Sequence, residues 1–278
     1  MSISNSLTLG FVGFGKMAKA LWEGISASGL IPPNRVFFYA PSTETQREVS
    51  LKYGIVSVSL ETLAQKSNVI LFCMKPQIAQ HVLENFPSLD SSKTQLIVSI
   101  LAGTSLSLFE KYMGPTVPCA RVMPNTPAQL GSGAFGVSFN QNVTLPYKKQ
   151  LKALLSSSGV VVEVAENQMD IVTALCGSSP AFLYQLTQEA MAFAQSHHMD
   201  AEQAKTLFAQ SLIGAGRMLL ESGQTPQELI ENVCSPNGTT AAGLSTYHKE
   251  QIGARIQHVL ESTAQRAHEL SKPQGENV

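Results

Sequence analysis

Leu7-Thr8-Leu9-Gly10-Phe11-Val12-Gly13-Phe14-Gly15-Lys16-Met17-Ala18 is the stretch that decides the fold. Residues 7–13 read as a compact apolar strand. A helical run, residues 16–28, follows at once and ends at Gly29, a natural residue just past a helix C-terminus. Between strand and helix stands the pattern Gly-x-Gly-x-x-Ala. Gly13 permits a tight turn, Gly15 lets a pyrophosphate approach the backbone, and Ala18 lets the helix lie close on the strand. The helix N-terminus then turns its free amides toward the anion. Two glycines after a strand are also compatible with an ordinary turn. Context separates the two readings: the strand begins near the N-terminus and further strand–helix–strand units follow it, which is the setting of a dinucleotide site.

Working outward, residues 35–39 read as a second strand and residues 43–53 as a helix closed by Gly54. Residues 69–74, 95–100 and 117–123 read as further strands, and the Gly-rich residues 131–139 as an antiparallel addition. Residues 145–158 are helical, and residues 160–164 form a last β-branched strand. Strands separated by helices imply a mostly parallel, doubly wound sheet. From 166 to 270 no strand is expected. Asp200 with Gln203 predicts a capping box before a helix reaching Ser222, and Thr225-Pro226 with Glu228 repeats that grammar. Residues 251–270 make a final helix, and a polar tail, 271–278, is expected to fray. The division expected is 1–165, an α/β Rossmann domain, and 166–278, an all-helical dimerisation and substrate-binding domain. Residues 181–195 and 204–220 are apolar around much of their circumference. A compact monomeric bundle is one reading of that; burial between subunits is the preferred one, because so large an exposed patch is rare on a monomer.

Composition narrows the function classes. Of 278 residues, 44% are hydrophobic and 14% charged, with 19 Lys and Arg against 20 Asp and Glu. That balance offers no basic surface for nucleic acid. No apolar run approaches the roughly 20 residues of a membrane span. The polar start lacks the basic segment of a signal peptide, so a cytoplasmic protein is expected. Cys73, Cys119, Cys176 and Cys234 form no CxxC pair and read as free thiols, with no metal site expected.

The tip of the second strand bears on cofactor choice. An NAD site usually places a carboxylate there, whereas this chain has Tyr39-Ala40-Pro41-Ser42-Thr43, with Glu44 further along. Ser42 and Thr43 can donate to a 2′-phosphate, with Arg47 or Arg35 supplying charge, so NADP(H) is preferred and NAD(H) possible. Met74-Lys75-Pro76 follows a buried strand, where ligands of open α/β sheets bind. The candidate cofactor contacts are therefore Gly13, Phe14, Gly15, Lys16, Met17, Ser42, Thr43, Met74, Lys75 and Pro76. A solvated Lys75 is the plainer alternative.

Three further segments carry a resemblance. They are Arg121-Val122-Met123-Pro124-Asn125-Thr126-Pro127-Ala128, Thr173-Ala174-Leu175-Cys176-Gly177-Ser178-Ser179-Pro180-Ala181, and Val233-Cys234-Ser235-Pro236-Asn237-Gly238-Thr239-Thr240-Ala241-Ala242-Gly243-Leu244. By itself, 235–240 is a polar, Pro- and Gly-containing loop that opens a helix, which is either a carboxylate site or an ordinary N-cap. Taken with the glycine loop and Lys75-Pro76, the segments resemble pyrroline-5-carboxylate reductases over nearly the whole chain. The resemblance implies a Rossmann domain followed by a helical dimerisation domain, an active-site loop drawn from the partner subunit, and in some members rings of dimers. It implies that Ser235, Asn237, Gly238 and Thr239 hold the substrate carboxylate, and that Thr240 is the catalytic contact to the ring nitrogen. Asn125 and Thr126 then lie near the nicotinamide. Ser179 and Asn237 stand where the family has Gly, and Ser59 near where it has Asn.

The reaction so implied is hydride transfer to the C=N carbon of 1-pyrroline-5-carboxylate, giving L-proline. Enzymes of the 3-hydroxyacid dehydrogenase type share this plan but use a catalytic lysine, and no Lys or Arg occurs between Ala153 and Ala204. A protonated imine needs no such donor. His197 and His198, in that stretch, read as exposed and structural. A non-catalytic NADP sensor would not need the 235–240 loop. An imine reductase for a six-membered ring is the other alternative.

Overall fold

The computed structural model describes residues 7–89 and 95–271. The polar start, 1–6, and all but the first residue of the polar tail lie outside the described residues. Among the described residues no helix is long and apolar enough to cross a membrane.

Eight strands form one sheet: β1 (Leu9–Val12), β2 (Val36–Tyr39), β3 (Val56–Ser57), β4 (Val69–Phe72), β5 (Leu96–Ser99), β6 (Cys119–Met123), β7 (Gly133–Phe139) and β8 (Gly159–Glu163). Their spatial order is β3-β2-β1-β4-β5-β6-β7-β8. All neighbours run parallel except β6 and β7, where Arg121 faces Ser138 in antiparallel register. The Gly-rich addition thus runs as its composition predicted. The order reverses between β1 and β4, so the crevice beyond their C-terminal ends is the place where such sheets take a ligand. β1, β4 and β5 are buried at every position, as expected of strands covered on both faces. β3, only two residues long, has too short a pattern to be read from sequence.

Helices α1 (Lys16–Ala27), α2 (Thr43–Tyr53), α3 (Leu60–Lys66), α4 (Ala79–Glu84), α5 (Leu106–Met113) and α6 (Leu145–Ser156) cover the sheet. On α1 the buried face is Ala18, Leu21, Trp22 and Ile25, spaced by three or four residues. These pack with Leu9, Phe11, Val36 and Phe38 in one apolar core. A second core on the other face joins Ile70, Phe72, Ile97 and Phe109. Fully burying such side chains stabilises by roughly 1.5–3 kcal/mol each.

After β8 the chain is helical: α7 (Met169–Val172), a π-helical turn over Thr173–Ser178, α8 (Ser179–Ser196), α9 (Ala201–Glu221), α10 (Pro226–Val233), α11 (Thr239–Lys249) and α12 (Ile252–Ser271). The described chain packs as two compact units. One holds the sheet through Ser178 together with the chain from Ser262 onward, and the other is Ser179–Glu261. Residues 166–178 thus pack with the sheet, although the change of texture read from the sequence falls before them. The reason is local: Met169, Thr173 and Ala174 are buried in that unit.

Thr225 and Glu228 form the expected capping box, Glu228 N–H donating to Thr225 Oγ1 and Thr225 N–H to Glu228 Oε2. At Asp200 the expectation needs correction. Its Oδ1 accepts from both Glu202 and Gln203 N–H, a one-sided cap rather than a box. The short carboxylate satisfies two end amides by itself. In the helical unit, α8 and α9 leave Tyr184, Phe193, Leu207, Ile213 and Leu220 exposed, which a lone subunit would present to water.

Candidate active site

The glycine loop takes the shape its residues predict. Gly13 has φ of +87°, and a Cβ there would lie 3.1 Å from the Met74 nitrogen, so a side chain would be strained in conformation and crowded against the tip of β4. Gly13 N–H donates to Tyr39 O, and Cys73 N–H to Val12 O, which draws the tips of β2, β1 and β4 together. Gly15 is the N-cap residue of α1, with no side-chain cap. A Cβ on Gly15 would meet nothing within 4 Å, so the end of α1 opens onto free space. A helix end of that kind fits a pyrophosphate.

Not every loop residue faces that space. Phe14 is buried, its ring 5.2 Å from Phe11 and 5.3 Å from Phe38, so only its backbone is available to a ligand. Met17 packs against the same core, while Lys16 is exposed. Ser42 and Thr43 are exposed at the start of α2, where Ser42 Oγ accepts from Thr45 N–H and keeps its own proton to donate. Arg47 is exposed on the same helix. Arg35 precedes β2 whereas Ser42 follows it, so the strand, roughly 3.3 Å per residue, separates them and Arg35 is no candidate for a 2′-phosphate.

Beyond β4, Lys75 is exposed and leads a 3-10 turn, Pro76–Ile78, before α4 begins. Met74 is half-buried against the second core. Cys73 beside it is no nucleophile: burial pushes its thiol up, and burial likewise pushes Cys119 up to about 12. At the tip of β6, Thr126 is exposed and Asn125 is buried. The Asn125 amide is already engaged, donating to Cys176 O at 3.2 Å and accepting from Ala134 N–H at 2.9 Å. Its side chain therefore shapes the strand tip rather than pointing free.

Sequence reading missed a charged cluster behind this tip. Arg121 is buried in β6, 3.5 Å from Asp170 and 3.9 Å from Glu166. Burial lowers the Arg121 pKa, and the two carboxylates oppose that shift. An arginine inside an apolar strand was the available signal, since a buried cation demands a carboxylate partner.

In the helical unit, Ser235–Thr240 forms a turn and a helix start. Ser235 O accepts from Gly238 N–H at 3.0 Å. Asn237 has φ of +59°, the left-handed conformation asparagine tolerates, so its replacement of a glycine preserves the turn. Gly238 is the N-cap residue of α11 and no side chain caps it. Ser235, Asn237 and Thr239 are exposed and Thr240 is half-buried on the first turn. Open amides with three hydroxyls beside them suit a carboxylate. His197 and His198 are exposed, as read from the sequence.

A *Bacillus subtilis* pyrroline-5-carboxylate reductase is 35% identical to this chain, over 98% of this chain and 92% of the relative. The chain belongs to the pyrroline-5-carboxylate reductase family. An *Arabidopsis thaliana* reductase is 33% identical over 97% of both chains. The family description "Pyrroline-5-carboxylate reductase dimerisation" matches residues 166–270, and "NADP oxidoreductase coenzyme F420-dependent" matches residues 8–103. Among solved structures, the *Plasmodium falciparum* pyrroline carboxylate reductase with NADP bound superposes with a TM-score of 0.86 at 31% identity, covering 96% of this chain and 98% of that one. The *Coxiella burnetii* reductase gives 0.88 at 29%, covering 96% and 100%. As a member of the reductase family, this chain is an oxidoreductase with an N-terminal Rossmann fold. Its helical region belongs to a dimerisation family, and the chain is built for self-association. The family match divides the chain at 166 and the packing divides it at Ser179, because residues 166–178 belong to one by sequence and to the other by contact.

Proposed function

We propose that the chain uses NADPH to deliver hydride from nicotinamide C4 to the C=N carbon of 1-pyrroline-5-carboxylate, giving L-proline, the last step of proline biosynthesis. The observation that carries this reading is the uncapped start of α11, opened by Asn237 and Gly238 and ringed by Ser235, Thr239 and Thr240. A helix N-terminus presents the equivalent of roughly half a positive charge, enough to favour a substrate carboxylate there.

Gly13, Gly15, Lys16, Met17 and the backbone of Phe14 bound the pyrophosphate. Ser42, Thr43 and Arg47 surround the adenosine ribose, and no carboxylate closes the tip of β2. That favours a 2′-phosphate, so NADP(H) is preferred over NAD(H), in keeping with the NADP seen in the *Plasmodium* relative. Met74, Lys75, Pro76 and Thr126 flank the nicotinamide half, with Asn125 fixing the loop that bears Thr126.

Ser235 and the first amides of α11 orient the substrate through its carboxylate. Thr240 hydrogen-bonds the ring nitrogen and stabilises the lone pair that develops there. The iminium is already electrophilic, so no strong acid is needed. Orientation supplies the main effect, on the order of 7–11 kcal/mol.

Assembly is proposed as a homodimer, or rings of dimers, through the apolar faces of α8 and α9. The near-neutral balance of 19 basic and 20 acidic residues argues against a nucleic-acid partner. Four free thiols fit a reducing compartment, the cytoplasm.

Steady-state oxidation of NADPH and NADH with 1-pyrroline-5-carboxylate tests the function. The expected result is turnover with both and a higher kcat/KM for NADPH. Absence of turnover, and of proline-dependent NADP reduction at high pH, would overturn it.

A further inference from the structure

The carboxylate of Glu166 accepts a hydrogen bond from Leu106 N–H at 2.6 Å, joining residues 60 apart in sequence. Leu106 is the first residue of α5, so the loop that leaves β5 ends on this bond. That loop has a second neighbour. Gly103, Thr104 and Ser105 face Pro76 and Gln77 across a cavity of about 390 Å³ that Lys111 of α5 and Leu270 of α12 also line. β4 and β5 are adjacent and parallel, so both loops rise from the same edge of the sheet, on the β4 side of the crevice. In a doubly wound sheet a dinucleotide spans that crevice, with one half over the β2 side and the other over the β4 side.

Glu166 is itself held from behind. Arg121, buried in β6, lies 3.9 Å from it and 3.5 Å from Asp170. One guanidinium therefore faces two carboxylates, and the spare negative charge meets the positive end of α5. The Glu166 side chain is partly exposed, so water screens that attraction, and the 2.6 Å bond to Leu106 N–H is what fixes the carboxylate against α5. The β5–α5 loop is thus held by Glu166 in addition to its own cap, Ser105, and to the packing of Gly103 on Leu270.

We infer that Glu166, anchored by Arg121, is a positioning residue that holds the β5–α5 loop as the outer wall of the nicotinamide half of the cofactor cleft. The inference rests on the NADPH reading above. Thr225 provides the comparison, because its Oγ1 caps a different helix, α10, by accepting from Glu228 N–H at 3.3 Å.

The test is NADPH titration by fluorescence on the full chain, with steady-state kinetics beside it. Glu166→Ala is expected to raise the Kd for NADPH at least fivefold, while kcat at saturating NADPH and the KM for 1-pyrroline-5-carboxylate stay within twofold. Glu166→Gln keeps the acceptor and is expected to restore the Kd to within twofold, and Thr225→Ala is expected to leave it within twofold. Wild-type affinity in Glu166→Ala, failure of Gln to restore it, or equal weakening by Thr225→Ala would each overturn the inference. Hydrogen exchange of the wild-type chain gives a reading that needs no variant. Residues 101–108 should gain protection when NADPH is added, and unchanged exchange there would overturn the assignment. If the wild-type chain bound no NADPH at all, the functional reading itself would fall, and this inference with it.

Discussion

The side-chain amide of Asn125 donates to the backbone carbonyl of Cys176 across 3.2 Å, pinning the tip of β6 to the π-helical turn 51 residues later. The same side chain accepts from Ala134 N–H, so one buried residue holds three segments. Asn125→Ala leaves these groups without their partner and is expected to cost about 1–3 kcal/mol. Asn125→Asp keeps the acceptor, loses the donor and introduces a buried charge, so it should cost more. Thermal melts check both, and unchanged Tm values would show that the bracket is not what holds the tip.

Gly13 and Gly15 are expected to fail differently. Gly13→Ala forces a Cβ into the left-handed region and against Met74, and should lower stability by about 1–3 kcal/mol. Gly15 has φ of −81°, which any residue adopts, and open space around it. Gly15→Ala should therefore melt like wild type yet bind NADPH more than tenfold more weakly. Melts and NADPH titration together separate the two outcomes, and normal cofactor affinity in Gly15→Ala would move the pyrophosphate elsewhere.

Thr240→Ala removes the group assigned to the ring nitrogen. A loss of more than tenfold in kcat/KM, or roughly 1.4 kcal/mol, is expected. Turnover close to wild type would strip Thr240 of its role while leaving the carboxylate loop intact.

On α9, Leu207 and Ile213 are 61% and 57% exposed in the single subunit. Replacing both with Asp places charges on a face that the assembly should bury. Light scattering after gel filtration is expected to show a smaller species than wild type. An unchanged mass would exclude this face from the interface.

The elements that carry the site were legible because their signals are local. A turn with positive φ demands Gly or Asn within one or two residues, so Gly13 and Asn237 announced their own geometry. The uncapped start of α11 followed from a Pro- and Gly-bearing segment before a helical run. Other features depend on which strand lies beside which. Phe14 stands in the middle of the glycine loop, but its ring turns into the aromatic core beside Phe38, from a different strand. Arg35 and Ser42 are neighbours in sequence and occupy opposite ends of β2. β3 is too short to impose a period.

By itself, then, the sequence determined the order and type of the long elements, the two turn conformations at the site, and the absence of a lysine between positions 153 and 204. Each of these depends on residues a few positions apart, where covalent geometry and side-chain period act directly. Only the tertiary structure decided that Asn125 would grip Cys176, that Glu166 would cap α5, and that Arg121 would sit between two carboxylates. Those pairs lie roughly 45–60 residues apart, and they meet because burial of the apolar strands sets the sheet order. Hydrogen bonding then fixes the partners of Asn125 and Glu166, and charge attraction sets those of Arg121.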